Sequence, residues 1–200
     1  IAANYNSNFW SSEKNVCVAE ADEYDRSFLK LHPDIAVISA MDADHLDIYG
    51  TEDAMQQAFI DFAGQIKKGG TLFSKWGLKK TTELKADHHF TYSLQNSNAD
   101  AYAANITNRE GSYVFDVHTT GGWLKDVALN MGGLHNIENV VAAIAIAKQL
   151  HIEDEKIKAA VAAFKGVKRR FEYIIPPLNN SGTVYVDDYA HHPAELEALI

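Results

Sequence analysis

The stretch from residue 34 to residue 75 constrains the fold most. It opens with "DIAVISAMDADH", a short apolar, β-branched run that ends in acids and a histidine. A run of this texture reads as a strand buried on both faces that delivers polar side chains at its C-terminal end. "TEDAMQQAFIDFAGQIKKGG" (51–70) follows. Thr51 suits a helix N-cap, acids fill the first turn, and apolar positions 55, 58, 59, 62 and 66 keep helical spacing. Lys67-Lys68-Gly69-Gly70 reads as the stop, and "TLFSK" (71–75) as the next strand. Upstream, "NVCVAEAD" (15–22) has the same strand texture, and "YDRSFLKLHP" is a short, partly helical connection. Strands that alternate with helices predict an α/β fold with a mostly parallel, doubly wound sheet.

Residues 88–130 have a different texture. "HHFTYSL", "AYAANIT", "SYVFDVHT" and "WLKDVALN" are short and alternating, with "NREG" and "TTGG" as turns. They predict an antiparallel β appendage over about 88–130. Two helices come next, "HNIENVVAAIAIAKQLHI" (135–152) and "EDEKIKAAVAAFKGV" (153–167), the second closed by Gly166. Beyond "GVKRR" the strands return as "FEYII" and "TVYVDDY", joined by the turn-rich "PPLNNSG". The reading places a domain boundary near 168, giving domains 1–168 and 169–200.

Composition excludes several classes. Hydrophobic residues make up 46% and charged residues 22% of 200 residues, as in ordinary globular chains. The net charge of -9 argues against binding nucleic acid or an anionic membrane through bulk charge, though not against a local basic pocket. No apolar run reaches the roughly 18 residues that span a bilayer. The opening "IAANYNSNFW" has no signal-like pattern and reads as the middle of a longer chain. The single cysteine, Cys17, cannot form an internal disulfide. It is expected to be a small buried hydrophobe in a strand, in a reducing, cytoplasmic setting.

Titratable residues gather in four clusters at element ends. "EADEYD" holds Glu20, Asp22, Glu23 and Asp25, and "DADHLDIYG" holds Asp42, Asp44, His45 and Asp47. If their strands are neighbours, both clusters meet at the sheet edge where open α/β sheets bind ligands. Carboxylates with one imidazole suit Mg²⁺ or Mn²⁺ better than zinc. The same residues read equally as solvated loop acids and a surface histidine. In the third cluster, "GGLHNIENVVAA", Asn136 and Asn139 share a helix face beside His135. They read either as caps or as amides that bind a nucleotide base or an anion. The fourth joins "KRRFEY" to "DDYAHHP". Arg169 and Arg170 point to opposite sides, as do Asp187 and Asp188, and His191 and His192 stand before Pro193 at a helix mouth. The residues alone leave a metal, a ribose and a substrate carboxylate all open. There is no G-x-x-x-x-G-K-[ST] loop and no G-x-S-x-G elbow. Cys17 lacks a basic neighbour and is a poor nucleophile candidate.

Taken in this order, "VAEADEYDRSFL", "DADHLDIYG", "GLHNIENVVAAIAIA", "FKGVKRRFE" and "VYVDDYAHHP" resemble the Mur ligase family. The resemblance covers nearly the whole chain and is weakest over 85–130. It implies most of the central ATP-binding domain from just after its phosphate loop, then the first strand pair and helix of a Rossmann-like C-terminal domain. Within the family, "EADE" and "DDYAHHP" favour the member that joins L-alanine to UDP-N-acetylmuramate in peptidoglycan precursor synthesis. The implied reaction is ATP-dependent and forms ADP through an acyl phosphate.

The resemblance also implies roles. Glu20 and His45 match Mg²⁺ ligands. Asn136 and Asn139, with His135 beside them, match contacts to the adenine end of ATP. Arg170 matches the arginine that reaches the nucleotide phosphates, Asp188 the acid on the ribose, and His191 a histidine near the reacting carboxylate and amine. The catalytic set is thus His45, Arg170 and His191, with Asp22, Asp44 and His192 as supporting candidates. Three departures stand out. Ser39-Ala40 replaces the Thr-Asn that relatives often carry before the histidine motif. The phosphate-loop Lys and Thr and the arginines for the amino-acid carboxylate are missing. No lysine suggests itself for the carbamylated form that several siblings use. Other readings remain: a sibling that attaches a recycled tripeptide to the same sugar nucleotide, a nucleotide-binding piece that is inactive by itself, and a His/Asp metallohydrolase.

Overall fold

The computed structural model describes residues 1–9, 11, 13–42, 45–177, 182–191 and 193–199. The chain forms two compact units, one of 14–92 with 98–100, the other of 1–13, 93–97 and 101–200.

The first unit is built on the predicted strand–helix–strand crossover. β1 (Ile35–Ile38) pairs in parallel with β2 (Thr71–Lys75), Ile35 opposite Thr71 and Ile38 opposite Ser74. The crossover carries a one-turn helix, α1 (Leu46–Tyr49), and α2 (Glu52–Ala63). The Thr51 hydroxyl accepts the Ala54 N–H at 3.2 Å, and Glu52 and Asp53 favour the positive end of the helix dipole. α2 stops at Ala63, short of the predicted Lys67-Lys68-Gly69-Gly70. Gln65 N–H and Ile66 N–H turn to the carbonyls of Phe62 and Ala63, so the last turn tightens to i→i−3 bonds. The core under the sheet joins Ile38, Leu72, Met55, Phe62 and Phe28. Phe28 comes from a 3₁₀ turn at Ser27–Lys30 and meets Phe62 with ring centres 5.1 Å apart.

Two expectations for this unit are corrected. Residues 15–22 form no strand, and Cys17 is exposed rather than buried. Val18 is 94% exposed and Val16 69%. A strand exists only through a partner ladder, and among the described residues none pairs with this run. The second correction concerns β3 (His88–Ser93), expected at the start of the antiparallel part. It pairs in parallel with β2, His88 opposite Thr71. About a dozen residues separate the two strands, too many for a hairpin and enough for a crossover.

The second unit holds the antiparallel meander: β4 (Ala101–Arg109), β5 (Ser112–Thr119) and β6 (Gly122–Leu129). Glu110 and Gly111 both have positive φ, as a two-residue hairpin turn requires. The Asp116 carboxylate accepts the Asn105 amide at 2.8 Å and the Asp126 N–H at 2.9 Å, tying together two irregular points of the ladder. These bonds hold its carboxyl below the ordinary carboxylate value. Phe115, Val117, Leu124, Val127 and Leu129 are buried, as are Ile137, Val141 and Ile144 of α3 (Leu134–Gln149) and Ile157 of α4 (Asp154–Ala163). Both helices sit where the sequence predicts, although α4 ends three residues before Gly166. β7 (Glu172–Ile175) and β8 (Tyr185–Asp187) form a separate antiparallel pair, and α5 (Pro193–Leu199) opens on the predicted proline. No described helix is long and apolar enough to cross a membrane.

Candidate functional site

Each unit carries part of the predicted site. In the first, His45 is the residue before α1 and has φ 51°, a left-handed backbone uncommon outside glycine. Its ring stands edge-on to Tyr24 with centres 5.1 Å apart. Its Nε2 lies 3.7 Å from Glu23 Oε1, an acid of the first cluster to which the sequence reading gave no role. Tyr49 O–H donates to the Glu23 carbonyl at 2.6 Å, and Arg26 lies over the Tyr49 ring at 4.9 Å. Glu20 is on the exposed stretch before this turn.

Two of the clustered acids have local work. Asp22 accepts the Tyr24 N–H and Asp25 the Ser27 N–H, each at 2.9 Å. The Ser27 bonds hold the Asp25 carboxyl below its ordinary value. Asp44 lies outside the described residues. Among the described residues no three His, Cys, Asp or Glu side chains gather as a metal cage. Mg²⁺ asks for little of that kind, because it takes one or two carboxylates and completes its shell with water and substrate phosphate oxygens. Glu23, beside His45, offers one carboxylate of the kind such a shared site uses.

In the second unit, β6 leads through Gly132 and Gly133 into α3. The N-cap is Gly133, φ 85°, with no side-chain cap. Neither asparagine is therefore the N-cap. The Asn136 amide donates to the Gly132 carbonyl at 2.7 Å, and Asn139 is exposed one turn along. His135 is half-buried, its ring centre 6.0 Å from that of Phe171, and its Nδ1 is buried with no hydrogen-bond partner among the described residues. Phe171 in turn meets Tyr173 edge-on at 5.6 Å. A cleft of about 460 Å³ opens beside them, lined by Asn130, Met131, Phe164, Arg170, Phe171 and Tyr173 among others.

The two arginines take different partners. Arg169 lies over the Tyr189 ring at 4.7 Å, and Arg170 Nη1 reaches within 3.7 Å of Glu195 Oε1. Asp188 accepts two backbone N–H groups, from Phe171 and Ala190, each at 2.7 Å. His191 Nδ1 is 2.9 Å from the Tyr189 carbonyl, and its N–H donates to Glu195 at 3.0 Å. His192 lies outside the described residues. Arg170, Asp188 and His191 are thus brought together around the start of α5. The sequence reading missed Glu195, which looks like an ordinary first-turn acid, and Phe171, whose ring stands against the mouth of α3.

The family profile described as the Mur ligase middle domain matches residues 5–147. The chain belongs to the Mur ligase family. The UDP-N-acetylmuramate–L-alanine ligase of Flavobacterium johnsoniae is 45% identical over 199 residues, all of this chain and 42% of that protein. The chain therefore spans less than half the length of the curated relatives it matches. Among solved structures, the UDP-N-acetylmuramate–alanine ligase of Thermotoga maritima superposes with TM-score 0.73 at 23% identity, over 90% of this chain and 40% of that one. The folylpolyglutamate synthase of Mycobacterium tuberculosis, solved with ADP, has TM-score 0.68 at 21% identity, over 88% of this chain and 40% of that one. These two likenesses establish a shared fold.

Proposed function

We propose that this chain is the greater part of the ATP-binding domain of an ADP-forming ligase that joins L-alanine to UDP-N-acetylmuramate. On this reading residues 1–168 belong to the central domain and 169–200 begin the C-terminal domain. The enzyme works in the cytoplasm, where both substrates and ATP are at hand. The observation that carries the reading is the 45% identity along the whole chain with a relative of that name. The geometry supports it, since Arg170, Asp188 and His191 converge on one helix mouth.

The chemistry needs what these residues offer. A carboxylate oxygen of the sugar lactyl group attacks the γ-phosphorus of ATP, the bond to ADP breaks, and an acyl phosphate forms. The amine of L-alanine then bonds to the acyl carbon, and phosphate leaves with the bonding pair. Two anions meet in the first step, so positive charge must offset their repulsion. Arg170 supplies part of it. Glu20 and His45, with Glu23 beside the imidazole, would hold Mg²⁺, which adds further positive charge at the phosphates when bound. His135, Asn136 and Asn139 hold the adenine end of ATP, and Asp188 faces the ribose. His191 takes the proton that the attacking amine sheds.

The test is ADP-coupled turnover of the full-length protein with ATP, Mg²⁺, UDP-N-acetylmuramate and either L-alanine or a stem tripeptide. Turnover with L-alanine alone is expected. Turnover only with the tripeptide would move the protein to the recycling activity, and none with either amine would overturn the ligase reading. In the same assay, Glu20→Ala and His45→Ala are expected to lose most turnover and to raise the Mg²⁺ requirement.

A further inference from the structure

We propose that Glu195 is a positioning residue of this reaction, reinforcing the His191 tautomer that the Tyr189 carbonyl favours and fixing the direction of Arg170. The inference rests on the ligase reading above. Glu195 is the third residue of α5. Its Oε2 accepts the His191 N–H at 3.0 Å and lies 3.4 Å from His191 Nδ1. Its Oε1 is 3.7 Å from Arg170 Nη1. One carboxylate therefore spans two catalytic candidates that arrive on different segments.

The tautomer follows from the acceptors. His191 Nδ1 is 2.9 Å from the Tyr189 carbonyl, which can only accept, so Nδ1 carries the hydrogen. The nearby Glu195 carboxylate favours the same placement. Nε2 then keeps its lone pair. The ring is steadied on another side by Tyr189, with centres 5.1 Å apart. The His191 side chain is 66% exposed, so a substrate can reach it. In the amide-forming step the nitrogen bonds to the acyl carbon, phosphate departs with the electron pair, and the nitrogen's proton passes to Nε2. The opposite tautomer would carry a hydrogen at Nε2 and could not accept it.

A purely structural role is the alternative. An acid in the first turn that accepts an N–H just before the helix supports that helix in any protein. Glutamine can do the same with its amide oxygen. It cannot supply the negative charge beside Nδ1–H and Arg170, so Glu195→Gln separates the two roles.

The experiment uses the full-length protein carrying Glu195→Gln, Glu195→Asp or Glu195→Ala, with Glu197→Gln on the same helix as control. Thermal unfolding, kcat, KM for each substrate and the ring ¹⁵N signals of His191 are read, the signals assigned with His191→Gln. Glu195→Gln is expected to unfold at the wild-type midpoint and to lose roughly ten- to a hundredfold in kcat, with KM for the sugar nucleotide unchanged. Its His191 signals should show a larger share of the Nε2–H form than in the wild type, with the Tyr189 carbonyl still favouring Nδ1–H, and Glu195→Asp should restore part of the rate. Wild-type kcat in Glu195→Gln together with an unchanged tautomer would overturn the proposal and leave a helix-supporting acid. If the wild-type protein shows no ligase turnover, the ligase reading fails while the ¹⁵N signals still decide whether Glu195 reinforces the tautomer. An unchanged tautomer in Glu195→Gln and Glu195→Ala would then overturn the proposal.

Discussion

Asp188 accepts the backbone N–H of Phe171 at 2.7 Å and so holds an aromatic residue in a left-handed conformation, φ 47°. Arg169 is also left-handed, φ 61°, and its N–H is taken by Glu172 at 2.8 Å. Arg170 is thus carried between two uncommon backbone conformations, each pinned by a carboxylate. Such conformations persist when the surroundings over-determine them, and they concentrate at functional sites. Asp188→Ala removes two charge-assisted bonds, so a loss of about 1–3 kcal/mol is expected in denaturant unfolding. Each carboxylate oxygen keeps a second lone pair, which leaves room for the ribose contact proposed above. The variant should therefore also raise KM for ATP, and a change in stability with unchanged KM would confine Asp188 to the clamp.

Gly132 is a packing requirement. A Cβ built there would overlap the Phe171 ring and the Tyr173 hydroxyl. Both rings belong to the wall beside His135, so neither can move without changing that wall. Gly132→Ala is expected to cost about 1–3 kcal/mol in unfolding experiments, in the range of overpacked cores. It should also weaken ATP binding, measured by titration of the full-length protein. A stable variant with ordinary ATP affinity would show that the rings yield freely.

The two asparagines of α3 should separate cleanly. Asn136 uses its amide on the Gly132 carbonyl, whereas Asn139 is exposed. Asn136→Ala removes a local hydrogen bond and is expected to lower stability by about 1 kcal/mol as well as to affect ATP use. Asn139→Ala should leave stability alone and raise KM for ATP more than KM for the sugar nucleotide. An equal rise in both constants would point to a change in folding rather than a lost contact.

The crossover from β1 to β2 was legible because Thr51, the apolar spacing of α2 and the flanking β-branched runs all point the same way. The hairpin turns were legible because Gly111 and Gly121-Gly122 are what tight reversals need. The run at 15–22 was misread because apolar texture does not reveal whether a partner strand is there to pair with it. β3 was misread because alternation along "HHFTYS" carries no strand direction, and only the length of the connection does. In the candidate site, the clusters drew attention to His45, Arg170 and His191, and the family resemblance supplied their proposed roles. Glu23 was in its cluster without a role, and Glu195 and Phe171 were not picked out, since what each touches is fixed by packing rather than by spacing.

His89 supplies the pH dependence. It is half-buried, and its Nε2 is 2.8 Å from the buried Ser74 hydroxyl. Burial pushes the imidazole below its ordinary value of 6.5, and the charge of Asp100 works against that shift. The folded value is therefore below the unfolded one. As pH falls through about 6.5 the unfolded chain takes up a proton that the folded chain resists, so stability declines. The decline continues until His89 titrates in the folded state. The carboxylates held below their ordinary value, Asp25, Asp53 and Asp116, lose their contribution only at more acid pH. Urea unfolding at about pH 7.5 and about pH 5.5 should show lower stability at the acid end. His89→Gln keeps a polar partner for Ser74 and removes the titration, so it should flatten the difference. An equally steep decline in His89→Gln would assign the effect to another histidine.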